Sequence, residues 1–117
     1  MLRDRGHVAD VVASAATIRE YMTGVSQQAF LADHMRQSAV LYQLTIVGEA
    51  CRRVSPGFRD AHPEVDWPGI VSLRNKIVHD YDDVNLDSVW SVVTRDLPAL
   101  VSTLEAIVPP EPDGEED

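Results

Sequence analysis

Apolar residues recur every three or four positions through most of the chain, which is the spacing of one face of an α-helix. The first such stretch predicts a helix over residues 4–22, ended by Gly24. Its apolar positions are Val8, Val11, Val12, Ala15, Ile18 and Met22. Ser26 is a suitable N-cap for a second helix, which the pattern extends over residues 27–53.

The second predicted helix is long and carries two apolar stripes. One stripe consists of Val40, Leu44, Val47 and Cys51, and the other of Leu31, Met35, Tyr42 and Ile46. A helix of about 27 residues spans about 40 Å, which is long for a chain of this size. A helix that is apolar on two sides is either central in a bundle or shared between the core and a partner.

The second half of the chain predicts two further helices. The Val-Ser-Pro-Gly run at residues 54–57 breaks the second helix, and residues 58–62 are expected to form a single turn before Pro63. Asp66 is the expected N-cap of a third helix, which should end near Val78 or His79. Asn85 is the expected cap of a fourth helix over residues 86–108, with a kink at Pro98.

No segment alternates between apolar and polar residues for more than a few positions, so no strand is predicted. We therefore expect an all-α fold, an up-and-down antiparallel four-helix bundle with a short extra turn before the third helix. The bundle should occupy residues 1–108. Residues 109–117, rich in proline and acids, should form an acidic disordered tail.

The amino-acid composition limits which classes of function are possible. The net charge is −9, but five of the nineteen acids lie in residues 109–117, which leaves 14 acids against 10 bases in the remainder. A small local basic patch is compatible with this balance, whereas an extended basic groove is not. One cysteine and four scattered histidines predict neither a disulfide nor a metal site, and no cofactor motif is present. Without a signal peptide or membrane span, a cytoplasmic location is expected.

The third helix carries the densest cluster of chemically active side chains, from Ser72 to Tyr81. On a helical wheel Arg74 lies within the apolar arc of this helix, where an arginine is costly unless paired. Two explanations stay open. The guanidinium forms an ion pair with a carboxylate such as Glu49, or it faces a cleft and binds a phosphate.

His79 lies about 140° from Arg74 on the same ideal helix. The two side chains can meet on one substrate only if the helix unwinds before His79 or if two chains form the site. Structural roles are also open: His79 could simply interact with the helix C-terminus, and Tyr81 could cover the end of the bundle.

The run Arg74-Asn75-Lys76-Ile77-Val78-His79-Asp80-Tyr81 resembles the Arg-x4-His-x-Tyr signature of HepT-like proteins of the HEPN superfamily. Further landmarks of the resemblance are Gly48-Glu49-Ala50, Asp66-Trp67, Val84 to Trp90, and Asp96-Leu97-Pro98-Ala99-Leu100. They extend the resemblance over nearly the whole chain.

The resemblance implies a toxin of a toxin–antitoxin module. Such proteins are all-helical homodimers that cleave RNA as metal-independent endoribonucleases, and their partner is an MntA-like nucleotidyltransferase antitoxin. It implies catalytic roles for Arg74 at the phosphate and His79 as acid or base, with support from Asn75. Tyr81 would be the residue that the antitoxin modifies with AMP. Lys76 is a candidate phosphate contact from its position alone.

Two hypotheses of other classes compete with the ribonuclease. The first is a non-catalytic helical partner of a nucleotidyltransferase, favoured by the acidic surface; RNA cleavage that depends on His79 would exclude it. The second is a nucleotide-binding enzyme that uses Arg74 for a phosphate, and calorimetry with common nucleotides would test it.

Overall fold

The protein is described here by a computed structural model, which covers residues 2–108, the side chain of Leu2 excepted. The acidic tail expected at 109–117 lies outside the described residues. Residues 2–108 contain helices and no strand, and the helices pack together, which confirms the all-α bundle. None of the helices in this range is long and apolar enough to cross a membrane.

The helices follow one another with short connections. They are α1 (Leu2–Met22), α2 (Gln27–Leu31), α3 (His34–Arg53), α4 (Pro56–Ala61), α5 (Trp67–His79), α6 (Leu86–Ser91) and α7 (Leu97–Ile107). A 3₁₀ turn, Tyr81–Asp83, follows α5, and a π-helical turn, Val92–Asp96, joins α6 to α7.

Helix α3 lies between α1 and α5 and is antiparallel to both. Asp4, at the start of α1, accepts hydrogen bonds from the backbone N–H and the hydroxyl of Ser55, each 2.8 Å long, just beyond the end of α3. At the other end Arg36 donates to the carbonyl of Tyr21. Tyr81, after α5, reaches Ser38 near the start of α3. These bonds between opposite helix ends fix the up-and-down order.

The single helix predicted over residues 27–53 is wrong. The chain leaves helical geometry at Ala32 and Asp33, and Asp33 then caps α3 by accepting a 3.0 Å hydrogen bond from the backbone N–H of Arg36. The break turns Phe30 into the core, with its ring 6.0 Å from that of Trp90. Burial of this aromatic ring and the strong Asp cap together outweigh continuation of the helix.

The segment before α5 is also more ordered than expected. The predicted turn over 58–62 is a helix, α4, that begins two residues earlier, because Ser55 caps it and Pro56 fits its first turn. The indole N–H of Trp67 donates a 3.0 Å hydrogen bond to the carbonyl of His62. Asp66 caps α5 as predicted, accepting from the backbone N–H of Gly69. Together these contacts set where α5 starts.

The irregularity expected at Pro98 takes the form of the π-helical turn that precedes it. The N–H of Leu97 bonds to the carbonyl of Val92, five residues back, and Pro98 itself has no N–H to donate. The wider turn accommodates the proline ring while α6 and α7 continue as one helical segment over the predicted range.

The two stripes of the central helix have different surroundings. Val40, Leu44, Val47 and Cys51 are buried as predicted, and burial raises the pKa of the Cys51 thiol to about 12. In the second stripe, Met35 is 83% exposed and Tyr42 65% exposed. The core therefore uses only one side of α3, and the other side remains at the surface.

Candidate functional site

Arg74 lies at a close approach between α3 and α5. A Cβ atom added to Gly48 on α3 would lie 2.1 Å from the Cβ of Arg74 and 2.7 Å from its Cγ. Only a glycine permits this separation. The aliphatic stem of Arg74 therefore packs on the bare backbone of α3, which accounts for an arginine in the apolar arc. An isolated glycine within a helical pattern was the sequence signal for this contact, and its role was missed.

The guanidinium group of Arg74 has partners at both terminal nitrogens, but they do not use all of its N–H donors. One terminal nitrogen lies 3.4 Å from Oε1 of Glu49, and the other donates a 2.9 Å hydrogen bond to Oδ1 of Asn75. Its Nε is buried and finds no acceptor among residues 2–108. Since a guanidinium has five N–H donors, several remain for a ligand.

Glu49 is surrounded by three guanidinium groups. Arg52 donates to it at 3.1 and 2.7 Å, and Arg53 at 2.9 Å, in addition to the longer contact with Arg74. The hydrogen bonds from Arg52 and Arg53 lower the pKa of Glu49 from 4.5 to about 2. The carboxylate therefore stays ionised at any physiological pH, and it is bound more tightly by its own helix than by Arg74.

This arrangement predicts an acid-sensitive contribution to stability. Folding depresses the pKa of Glu49, so its contribution is fully present above pH 4.5 and is lost as the pH falls towards 2. Replacing Glu49→Gln should lower the free energy of unfolding at pH 7 by about 1 kcal/mol, because the arginines are largely exposed. Urea unfolding at pH 7 and pH 3.5 should show a smaller difference at the lower pH.

Glu105→Gln is the matched control for this measurement, because Glu105 is an exposed carboxylate on α7 without an ion pair among the described residues. It should leave stability nearly unchanged at both pH values. An equal loss for Glu49→Gln at pH 7 and pH 3.5 would contradict the charge network.

A cavity of about 390 Å³ opens beside Arg74, over the outer side of α3 and between α1 and α5. Its polar and apolar walls include His7 and Asp10 from α1, Glu49 and Arg53 from α3, and Arg74 and Val78 from α5. The volume lies in the range of ligand sites. The sequence did not indicate His7 at this site, because its approach to Arg74 depends on how α1 packs against α3.

His79 is the last residue of α5 and is exposed, and it does not line this cavity. Because α5 stays helical through His79, the angular separation of about 140° between Arg74 and His79 persists. Lys76 lies 3.7 Å from Asp80 and 3.6 Å from Asp83, so its charge is balanced locally. The structure thus brings Arg74, Asn75 and Glu49 together and leaves Lys76 and His79 apart from them.

Tyr81 begins the 3₁₀ turn after α5 and is 47% exposed. Its hydroxyl donates a 2.9 Å hydrogen bond to the hydroxyl of Ser38 on α3, a partner that the sequence did not indicate. Three further exposed apolar side chains, Met35, Tyr42 and Val78, lie on α3 and near the end of α5, and we call them the outer face.

Metal-ligating side chains are not clustered in this region. Throughout residues 2–108, no three His, Cys, Asp or Glu side chains are grouped in a way that could hold a metal ion.

Comparison with known proteins gives consistent matches. The chain is 31% identical over 98 residues to a protein named "Putative RNase" from Methanocaldococcus jannaschii, covering 84% of this chain and 90% of the relative. It is 29% identical over 103 residues to "Probable ribonuclease HepT" from Thermococcus cleftensis, covering 88% and 94%. No solved structure matches the chain.

Most of the helical bundle matches one protein family. Residues 12–107 match the model of the family described as "Ribonuclease HepT-like", a range that includes α3, α5 and Arg74 through Tyr81. This match confirms the family and the enzyme class expected from the Arg-x4-His-x-Tyr motif. The chain belongs to the HepT-like ribonuclease family.

Proposed function

We propose that the chain is a dimeric, metal-independent endoribonuclease, the toxin of a toxin–antitoxin module. The observation that carries this proposal is the geometry of α5, which fixes Arg74 against Gly48 and stays helical through His79. The names of the relatives, which describe ribonucleases, support the substrate class.

In the proposed reaction the ribose 2′-oxygen attacks the adjacent phosphorus, and the bond from phosphorus to the 5′-oxygen breaks. Arg74 binds the phosphate and stabilises the charge that develops on its oxygens. His79 either removes the 2′-OH proton or gives a proton to the leaving 5′-oxygen. Asn75 orients Arg74 through their hydrogen bond. Lys76 is a weaker candidate for phosphate binding, because Asp80 and Asp83 already compensate its charge.

A second copy of the chain resolves the separation of Arg74 and His79. Since one helix directs them about 140° apart, a dimer can place Arg74 of one protomer near His79 of the other. The outer face supports this arrangement, because Met35, Tyr42 and Val78 expose apolar surface that a second copy could cover. The dimer axis would then run close to the two motif helices.

Tyr81 is the proposed control point. Its phenol is half-exposed beside the outer face, so a nucleotidyltransferase antitoxin can reach its oxygen. Attachment of AMP there would add bulk and negative charge beside the outer face, near the proposed dimer axis, and would repel RNA by the same rules as phosphorylation.

The cleavage proposal is tested with the purified chain and single-stranded RNA in the presence of EDTA. We expect products that end in a 2′,3′-cyclic phosphate and a 5′-hydroxyl, because the 2′-oxygen is the nucleophile. A 2′-O-methyl RNA of the same sequence should remain intact. Absence of cleavage of the unmodified RNA, or cleavage of the methylated strand, would refute the mechanism.

The modification proposal is tested by intact mass after co-expression with the cognate nucleotidyltransferase. We expect the mass of the chain to rise by one or more AMP units, and Tyr81→Phe to abolish the increase. Tyr42→Phe is the matched control, since Tyr42 lies on the same face and is more exposed. An adduct that persists in Tyr81→Phe would place the modification elsewhere.

The net charge of −9 favours one alternative, a non-catalytic helical partner or nucleotide-binding subunit of a minimal nucleotidyltransferase. That function predicts a tight complex whose properties do not change in His79→Ala. RNA cleavage by the purified chain that is lost in this variant would exclude it.

A further inference from the structure

His7 is a half-buried side chain that the proposed chemistry leaves without a role. It lies on α1, across α3 from Arg74, and lines the same cavity. It makes no hydrogen bond or ion pair within the part of the chain that the structure describes. An imidazole carries at least one N–H donor in either protonation state, so His7 can donate to an acceptor in the cavity.

Arg53 adds a second donor to this side of the cavity. It is the last residue of α3, its side chain is 60% exposed, and it bonds to Glu49 only through Nε among the described residues. Both terminal nitrogens of its guanidinium therefore keep their N–H donors for another acceptor. Arg52 makes the stronger pair with Glu49 but does not line the cavity.

The charges around the cavity explain why two more donors matter. Arg53 and Arg74 are offset by Glu49 and Asp10, so the walls are close to neutral when His7 is neutral. Glu49 is already bound by Arg52 and Arg53, which reduces its repulsion of an anion.

We propose that His7 and Arg53 form a second phosphate-binding position, which holds an RNA backbone phosphate next to the one bound by Arg74. This inference rests on the proposed ribonuclease function and extends its site from α5 across α3 to α1. It gives an acidic protein a short, local RNA contact in place of a basic groove. His7 and Arg53 bind substrate in this scheme and take no part in proton transfer.

The test measures binding and cleavage separately. Binding of a fluorescent single-stranded 2′-O-methyl RNA is followed by anisotropy at several salt concentrations, and cleavage of the unmodified RNA gives kcat and KM. We expect His7→Phe and Arg53→Gln each to weaken binding about tenfold, with a matching rise in KM and little change in kcat. Arg53→Gln should also reduce the slope of log affinity against log salt by about 0.7, the value for one phosphate contact on a single strand.

Two further variants separate phosphate binding from indirect effects. Arg52→Gln removes hydrogen bonds to Glu49 but no cavity donor, so it should bind RNA more tightly than Arg53→Gln and keep the wild-type salt slope. Asp10→Asn removes a negative wall charge and should strengthen binding.

The outcomes distinguish this inference from the function on which it rests. The first case is a wild-type protein that cleaves RNA. If His7→Phe and Arg53→Gln then both keep the affinity, salt slope and KM of the wild type, the second phosphate position alone is overturned. A wild type that neither binds nor cleaves RNA would overturn both proposals. Urea unfolding checks that the variants fold. If His7→Phe does not fold, Arg53→Gln decides the question, because Arg53 is exposed.

Discussion

Replacing Arg74→Lys is expected to lower kcat for RNA cleavage by about 10²–10³-fold, the cost of removing one well-placed charge-stabilising group. Lysine keeps the positive charge, but its ammonium group cannot bind two phosphate oxygens in a fixed plane. The substitution also preserves an aliphatic stem against Gly48, so the helix pair should stay packed. Steady-state kinetics and urea unfolding of the same preparation measure the two effects.

Arg95→Lys is the matched control, because Arg95 is 79% exposed, belongs to the π-helical turn and does not line the cavity beside Arg74. It should change neither kcat nor stability. If Arg74→Lys retains the wild-type kcat, Arg74 has no role in the catalytic step. Arg74→Ala is less informative, since it also deletes packing against α3 and leaves Glu49 with one cation fewer.

Mixing two inactive variants tests whether the site is shared between protomers. If Arg74 of one chain acts with His79 of the other, heterodimers of Arg74→Lys and His79→Ala contain one intact site. Random exchange should then restore about a quarter of wild-type activity. No restoration after verified subunit exchange would show that both residues of each site come from one chain.

Replacing Gly48→Ala is expected to destabilise the protein and to impair the site. The new Cβ would overlap the stem of Arg74, at 2.1 Å, so α3 and α5 must move apart. Overpacking of this kind lowers the free energy of unfolding by about 1–3 kcal/mol. The better helix propensity of alanine offsets up to about 1 kcal/mol of this loss. Displacement of Arg74 by about 1 Å should reduce cleavage by about 10²-fold.

Gly6→Ala provides the comparison, because Gly6 lies in α1 and a Cβ there would meet nothing within 4 Å. This variant should be slightly more stable than wild type, since only the propensity term remains. Urea unfolding measures both variants. If Gly48→Ala is as stable as Gly6→Ala and cleaves RNA at an unchanged rate, the close approach of α3 and α5 at Gly48 does not position Arg74.

The fold was predictable where local signals and periodicity agree. Val40, Leu44 and Val47 recur on one face of α3, and all three are buried. Asp66 and Asn85 cap α5 and α6 as expected, each accepting a backbone N–H three residues ahead. Caps and stripes depend on neighbours in sequence, so they can be inferred without knowing the tertiary arrangement.

Features that depend on contacts between distant segments were not predictable. The break at Asp33 follows from burial of Phe30 against Trp90, sixty residues further along the chain. By contrast, the hydrogen bonds that Arg52 and Arg53 donate to Glu49 are local, three and four residues apart within α3, and this sequence signal was missed. His7 joined the candidate site only once α1 was packed against α3.

The hydrogen bond between Tyr81 and Ser38 bears on how fast the proposed modification can proceed. Tyr81 Oη is the donor in this bond, so its lone pairs stay available for attack on a phosphorus atom while the hydrogen that has to leave points to Ser38. A single hydrogen bond of this kind is worth about 0.5–1.5 kcal/mol, which the side chain would lose if it turned away from α3 to meet a nucleotidyltransferase. Loss of this bond would therefore slow the proposed modification by no more than about tenfold.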